Sequence, residues 1–413
     1  MRAPASLETE DRITLGTVFI GAAAFVLLAT WLVPWQPVPG GSPSPVPADS
    51  IFTPHQIQRA EDYATWARVW GWTSLAVSLA VACWLGFTDR GRRLADRLPG
   101  PWVVRVVLVV AALELIGRAA TLPMAVAQRR LQLDAGLSTS SWPAWSLDLL
   151  KSELVDIVVT SIAVLVLVGI ARRWPRSWTA IAGGVLAALV VLGSFVYPLL
   201  VEPLFNDFTP LEDGSLRTEI FQLADEEGVE IDDVLVADAS RRTTTLNAYV
   251  SGFGGTRRVV VYDTLVEDLP EDQALSVVAH ELAHAQHDDV VLGTFLGAAG
   301  ALVGVGLLGL AVGVARRRGL PGVGEVGAVP MILALAALAT ALSSPIQSGI
   351  SRQIETRADV DALEATDAPG PFIALQRRLA LRSLADPTPP AWSQWWFGSH
   401  PTVLERIAIA KDR

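Results

Sequence analysis

Hydrophobic residues in this chain are gathered into seven long apolar runs that are separated by polar segments. A helix needs about 20 mostly apolar residues to cross the hydrocarbon core of a bilayer. The fourth run is shorter than this, and the others are close to it or longer. The runs span residues 13–33, 66–87, 103–125, 154–170, 180–200, 290–315 and 329–348. The pattern therefore predicts a mainly α, polytopic membrane protein with seven transmembrane helices.

The third run carries the charged residues Glu114 and Arg118, four positions apart. Residues four apart lie on the same face of a helix. Charged side chains inside a membrane face protein or water rather than lipid. The pair is interpreted either as a structural ion pair or as part of the lining of a polar interior cavity.

The polar segments divide the chain into four parts. Residues 1–200 would form five membrane helices with their loops, and residues 290–348 would form the sixth and seventh. Residues 201–289 form a membrane-extrinsic segment with 20 acidic residues against five arginines, and residues 349–413 form a C-terminal helical segment. The stretch 34–65 is rich in proline, glycine and serine and predicts an irregular connection.

Composition agrees with a membrane protein and excludes several other classes. Hydrophobic residues make up 51% of the chain and charged residues 18%, with a mean hydropathy of +0.40. A soluble globular protein has about 25% charged residues. The net charge of −10 argues against a nucleic-acid partner. The one cysteine, Cys83, excludes an intramolecular disulfide and a cysteine zinc cluster.

The strongest chemical signal is an H-E-x-x-H pattern at His280–His284, inside a run that predicts a helix over residues 271–289. Histidines at i and i+4 share a helix face, so both imidazoles can bind one metal ion. Glu281 then lies beside them, where it can take a proton from a metal-bound water. The alternative is a solvated helix that carries charged residues.

A catalytic zinc site takes three protein ligands and one open position. His287 is close in sequence, but helical geometry makes it an awkward third ligand, and it is interpreted as a polar neighbour. Glu355 and Asp359 share a helix face further along the chain. One could bind the metal while the other orients a ligating histidine. Spacing alone does not decide between them.

Five segments between about residue 195 and the end of the chain are informative together. They are Pro203–Leu211, Asn247–Tyr249 with Val259–Leu265, His280–His284, Glu355 with Asp359, and Ser399–Pro401 with Arg406. In this order they make the chain resemble the Ste24-type integral-membrane zinc metalloproteases, also called CAAX prenyl protease 1, of peptidase family M48.

The resemblance implies a helical barrel around a water-filled chamber, joined to a small α/β, gluzincin-like zinc-metalloprotease domain. It implies one Zn²⁺ per chain held by His280, His284 and Glu355. Glu281 would be the general base and His400 would donate a hydrogen bond to the oxyanion. Further roles would be support of the metal site by Asp359 and Arg406, and pairing of an extended substrate with Asn247, Ala248 and Tyr249.

The substrate would be a peptide or protein, either prenylated or membrane-associated. The resemblance implies removal of the last three residues of a prenylated CAAX sequence. Thirty arginines against two lysines favour a high-GC bacterial source, where a broader processing or clearance of membrane peptides is the alternative. The expected location is the bacterial plasma membrane, and an oligomer is not predicted.

The side of the membrane that carries the site is open. Arginines concentrate in loops 90–97, 172–176 and 316–318, and positive short loops mark the cytoplasmic side. This rule places the site outside, although Arg129, Arg130 and Lys151 lie in the loop between the third and fourth runs. The family resemblance places the site in the cytosol.

Two other function classes compete with a membrane zinc endopeptidase. A non-catalytic scaffold or sensor with a vestigial zinc site would have lost Glu281 or a ligand, and all of them are present. A transporter would show paired half-repeats and charged residues in several runs. The sequence contains one such charged pair and no repeat.

Overall fold

The computed structural model describes residues 5–252, 254 and 257–413. The described part is mainly helical, with one small sheet. Its helices are α1 Ala5–Leu32, α2 Pro54–Gly86, α3 Asp89–Arg97, α4 Trp102–Asp134, α5 Trp142–Arg173, α6 Trp178–Leu200, α7 Ser215–Glu226, α8 Asp263–Asp268, α9 Glu271–Gln286, α10 Asp289–Arg317, α11 Val329–Thr366, α12 Pro369–Ser383, α13 Ala391–Phe397 and α14 Val403–Lys411. Its strands are β1 Phe208–Pro210, β2 Asp233–Ala237, β3 Ala248–Ser251 and β4 Arg258–Tyr262.

Each predicted apolar run lies in a long helix, namely α1, α2, α4, α5, α6, α10 and α11. Within the described residues, six helical segments are long and apolar enough to cross a membrane. The helix α4 is not among these six, and it contains Arg105, Glu114 and Arg118. Six candidate spans are therefore found where seven were predicted.

The long helices run between two ends of the molecule. At one end the arginine-rich loops converge: Arg172 donates to the carbonyl of Gly324, and Arg316 lies 3.4 Å from Glu10. At the other end Val33, Leu292 and Ile350 share a buried cluster beside the extrinsic segments. The arginines thus lie at the end away from the predicted metal site.

The charged pair of the third run is arranged differently from the expectation. Arg118 contacts a carboxylate of the neighbouring helix, with its Nε 2.6 Å from Glu153 Oε2, and its Nη2 lies 3.9 Å from Asp156. The salt bridge therefore joins α4 to α5 rather than Arg118 to Glu114. Sequence spacing reveals neighbours on one helix, and here the closest partner is on another.

The prediction of an irregular connection over residues 34–65 was wrong in its second half. The helix α2 begins at Pro54, ahead of the apolar run. Thr53 accepts from the amide of Gln56, whose side chain accepts in return from the amide of Thr53. This capping box satisfies two amides at the helix start and stabilises a polar first turn that hydropathy does not detect.

The four strands form a sheet in the order β1-β2-β4-β3. Strands β2 and β4 are parallel, and the outer strands β1 and β3 pair antiparallel with them. The run Val259–Tyr262, part of the segment that carries the family resemblance, lies in β4, and its three valines are buried, as suits β-branched residues in a strand. Within the described residues its neighbour β3 is an edge strand, paired with β4 alone.

The sheet packs against the helix α9 through a shared apolar core. Ala248 and Val261 of the sheet meet Val278, Ala279 and Leu282 of α9 in one buried cluster. This packing fixes the edge strand beside the helix that carries the H-E-x-x-H pattern.

Two helix arrangements bring the remaining parts of the site together. The helical path is interrupted after α9. Asp288 has a left-handed backbone with φ 52°, and α10 starts at the next residue. The helix α11 continues without a break from the seventh apolar run through residues 349–366, so it carries Glu355 and Asp359 from the membrane segment to α9.

Candidate metal centre and active site

The side chains of His280, His284 and Glu355 meet at one point. The two Nε2 atoms of the histidines lie 3.2 Å apart. Glu355 places Oε2 3.2 Å from Nε2 of His280 and Oε1 3.7 Å from Nε2 of His284. Ligands bound tetrahedrally to one zinc ion at 2.0–2.1 Å are about 3.4 Å apart. The two distances to Glu355 involve different carboxylate oxygens; with one atom taken from each residue, the three groups lie within 4.8 Å of one another, close enough to hold a single metal ion.

The other ring nitrogens show why a cation suits this triangle. Nδ1 of His280 lies 3.1 Å from Asp359, and Nδ1 of His284 lies 2.9 Å from Asp289. If each Nδ1 carries the proton and donates toward its carboxylate, both Nε2 atoms present lone pairs to each other. Two lone pairs and a carboxylate at this distance repel unless a positive charge lies between them.

Each of the two supporting carboxylates is itself paired with an arginine. Asp359 is fully buried and accepts from Arg406, whose Nε lies 2.7 Å from Oδ2. Asp289 is buried and accepts from Nη2 of Arg357. The carboxylates are thus fixed in place, and they in turn orient the two imidazoles.

The pKa values of Glu281 and His280 are shifted because both side chains are largely buried and lie near other charges. Burial raises the pKa of Glu281, so its carboxylate holds a proton more readily than an exposed glutamate does. Burial alone lowers the pKa of His280, but the carboxylates of Asp359 and Glu355 outweigh it and raise the pKa to about 10. A metal ion held there would take the place of the proton on Nε2 of His280.

The remaining predicted site residues lie around this centre. Nε2 of His400 lies 3.3 Å from Oε2 of Glu355, and its side chain is 57% exposed. It therefore stands at the open side of the triangle. Ala248 and Tyr249 lie in the edge strand β3, and the carbonyl of Asn247 accepts from the amide of Tyr262 in β4. His287 contacts Asp361 at 2.9 Å, as a polar neighbour would.

Sequence reasoning missed the pair Asp289 and Arg357. Asp289 is five residues after His284, beyond the helix break at Asp288, so helical spacing does not place it near the imidazole. Arg357 lies between Glu355 and Asp359 on α11. The available signal was a carboxylate immediately after the H-E-x-x-H helix and an arginine two residues after Glu355.

Comparisons with known proteins identify the family of this chain. Residues 210–413 match peptidase family M48, and residues 42–207 match a family described as the CAAX prenyl protease N-terminal part with five membrane helices. An uncharacterized metalloprotease of Bacillus subtilis, YhfN, is 30% identical over 318 residues, which are 75% of this chain and 74% of that protein. The chain belongs to peptidase family M48. It is a Ste24-type membrane member of this metalloprotease family.

Two further relatives extend the likeness. CAAX prenyl protease 1 of Saccharomyces cerevisiae is 33% identical over 148 residues, which cover 36% of this chain and 33% of that enzyme. The crystal structure of Ste24p from S. mikatae matches with a TM-score of 0.78 over 99% of this chain and 100% of that one, at 20% identity. The solved structure shows the same fold, and the M48 protein is an integral, multi-pass membrane protein.

Proposed function

We propose that this M48 protein is a zinc metalloendopeptidase that cuts peptide bonds at the membrane. The observation that carries the proposal is the convergence of His280, His284 and Glu355 within 4.8 Å of one another, with Glu281 next to His280 in the chain. Two imidazoles and one carboxylate are a donor set that zinc takes in peptidases. One Zn²⁺ per chain is proposed, held by these three side chains.

A zinc ion held there would polarise a water molecule and the peptide carbonyl that it attacks. The protein's own groups perform the remaining steps. Glu281 accepts a proton from the attacking water and later delivers it to the leaving amine. His400, at the open side of the triangle, donates a hydrogen bond to the oxyanion as charge develops there.

Two sets of residues support these steps. Asp359 with Arg406 holds His280 in the orientation that directs Nε2 toward the metal. Asn247, Ala248 and Tyr249 bind the substrate backbone, because an edge strand offers free amides and carbonyls to an added strand. The peptide would then lie beside α9.

We propose that the seven long helices, α4 included, each cross the membrane and together form the barrel of the Ste24 fold. The arginine-rich loops at the end away from the site favour a cytoplasmic location for that end and an outward-facing metal centre, in a bacterial plasma membrane. A reporter fused to the C-terminus would be active outside the cell. Reporter activity confined to the cytoplasm would show that the C-terminus, and with it the metal centre, faces the cytoplasm.

The substrate is tested with a farnesylated CAAX peptide and its unprenylated twin, followed by mass spectrometry of the products. Wild type and Glu281→Gln are run side by side. Release of an intact tripeptide from the lipidated peptide, by wild type alone, supports CAAX processing. Cuts at several sites in both peptides support a general membrane endopeptidase. Hydrolysis by Glu281→Gln at the wild-type rate would refute the base assignment, and no cut in either peptide would favour a non-catalytic scaffold.

A further inference from the structure

His400 lies in residues 398–402, the connection between α13 and α14. This connection is neither helix nor strand, and the side chain of His400 is 57% exposed. Its Nε2 nevertheless lies 3.3 Å from Oε2 of Glu355. A group that acts on a transition state must be held within about 0.5 Å of its working position. Contacts from outside the connection therefore have to fix it.

Arg352 joins the end of α13 to the helix that carries Glu355. It lies on α11 three residues before Glu355, so the two side chains share a helix face. Nη1 of Arg352 donates to the carbonyl of Gln394 at 3.0 Å and also to the carbonyl of Gly398. Hydrogen bonds from a charged donor are about twice as strong as neutral ones. The start of the connection is thus fixed relative to the third proposed metal ligand.

The side chain of Gln394 extends this restraint to His400. Its Nε2 donates to the carbonyl of His400 at 2.7 Å. The same side chain passes over Gly398, where an added Cβ would overlap Oε1 of Gln394. The backbone of Gly398 has φ −74°, which any residue adopts, so no turn requires a glycine there. The glycine therefore leaves room for the amide of Gln394.

Both flanks of the connection are attached to α11. Before it, the carbonyl of Trp396 accepts from the hydroxyl of Ser344 at 2.9 Å. After it, Nε of Arg406 lies 2.7 Å from Oδ2 of Asp359. Since Ser344 and Asp359 belong to the same helix, the frame around His400 is rigid, and Gln394 links that frame to the backbone of His400.

We propose that Arg352 and Gln394 are positioning residues that hold Nε2 of His400 at the open side of the metal triangle. This inference rests on the proposed function, in which His400 donates to the oxyanion. Both residues act through the backbone of the connection and take no part in the bond-breaking step itself. The hydroxyl of Ser399 lies 2.8 Å from Nδ1 of His400. A hydroxyl that donates to Nδ1 leaves the ring proton on Nε2, where the oxyanion needs it.

The test is a double-mutant cycle of Gln394→Met with His400→Ala, measured on one peptide that wild type cuts. Gln394→Met keeps the length of the side chain and removes its amide. It should lower kcat by about 10- to 100-fold, as a misplaced group does, with little change in KM. In the His400→Ala background the same substitution should have no further effect, because residues that act through one group are not additive.

The matched control is Gln286→Met. Nε2 of Gln286 also donates to a backbone carbonyl, that of Glu227 at 3.1 Å, and this variant should keep the wild-type kcat. Arg352→Met should lower kcat as Gln394→Met does, and Arg352→Lys should recover part of the loss, since an ammonium group can donate to both carbonyls. Gly398→Ala is a further variant, which displaces the amide of Gln394 while keeping both positioning residues. Thermal unfolding and bound zinc, measured on each variant, identify any that fails to fold.

A second measurement does not depend on peptide hydrolysis. The imidazole signals of protein labelled with ¹⁵N-histidine are recorded in detergent, and the His400 signal is assigned by its loss in His400→Ala. Gln394→Met should shift this signal and leave that of His287 in place, whereas Gln286→Met should not move the His400 signal.

Two results would overturn the positioning role. One is an equal loss of kcat for Gln394→Met with and without His400. The other is a folded Gln394→Met, Arg352→Met or Gly398→Ala protein with the wild-type kcat and an unmoved His400 signal. Failure of wild type to cut any peptide refutes the peptidase function itself, which is a distinct outcome, and the histidine signals then still test the positioning of His400.

Discussion

Replacing Asp289 with alanine should weaken metal binding without removing a metal ligand. Asp289 is buried, lies 2.9 Å from Nδ1 of His284, and is paired with Arg357. Its loss leaves the imidazole free to rotate or change tautomer. Partners of this kind are worth about 10- to 100-fold in metal affinity, which corresponds to about 1.4–2.7 kcal/mol.

The matched control is Asp361→Ala. Asp361 makes a contact of the same length, 2.9 Å, with His287, which lies outside the metal triangle. Zinc affinity of both variants would be measured by competition against a calibrated chelator in detergent, together with thermal unfolding. We expect a 10- to 100-fold loss for Asp289→Ala and wild-type affinity for Asp361→Ala. Equal affinities in the two variants would refute the positioning role of Asp289.

Three further predictions concern neighbouring groups. His400→Ala should lower kcat by about 10²- to 10³-fold with a small change in KM, because an oxyanion donor acts in the transition state; steady-state kinetics that show a KM effect alone would contradict this. Arg406→Ala should destabilise the protein by about 3–5 kcal/mol, because it leaves the carboxylate of Asp359 buried and unpaired; a thermal unfolding midpoint equal to wild type would argue against the pair. Replacing Glu355 with glutamine should reduce bound zinc below one ion per chain, and elemental analysis showing full zinc content would exclude Glu355 as a ligand.

Much of the site could be predicted from the sequence because its chemistry is encoded locally. His280 and His284 are one helical turn apart, and Glu355 and Asp359 are likewise one turn apart on α11. Local spacing determines which side chains share a helix face, so the histidine pair and the pair Glu355 and Asp359 could each be identified from the sequence. The joining of the two halves came from family resemblance, since no periodicity relates α9 to α11.

The features that were missed depend on interruptions between helices and on packing between segments that are distant in sequence. The left-handed residue Asp288 redirects the chain and brings Asp289 back to His284. The partner of Arg118 is Glu153 on a different helix. The docking of the α4–α5 loop onto Thr243 joins residues more than 100 positions apart. Hydropathy and spacing carry no information on such contacts.

The most direct test of the account is to remove the metal with a chelator and return Zn²⁺ in steps while peptide hydrolysis and bound metal are followed together. The account predicts that hydrolysis is lost with the metal and returns in proportion to bound zinc, with full activity at one ion per chain. Hydrolysis that persists in metal-free protein, or a chain that takes up no zinc at this site, would contradict it.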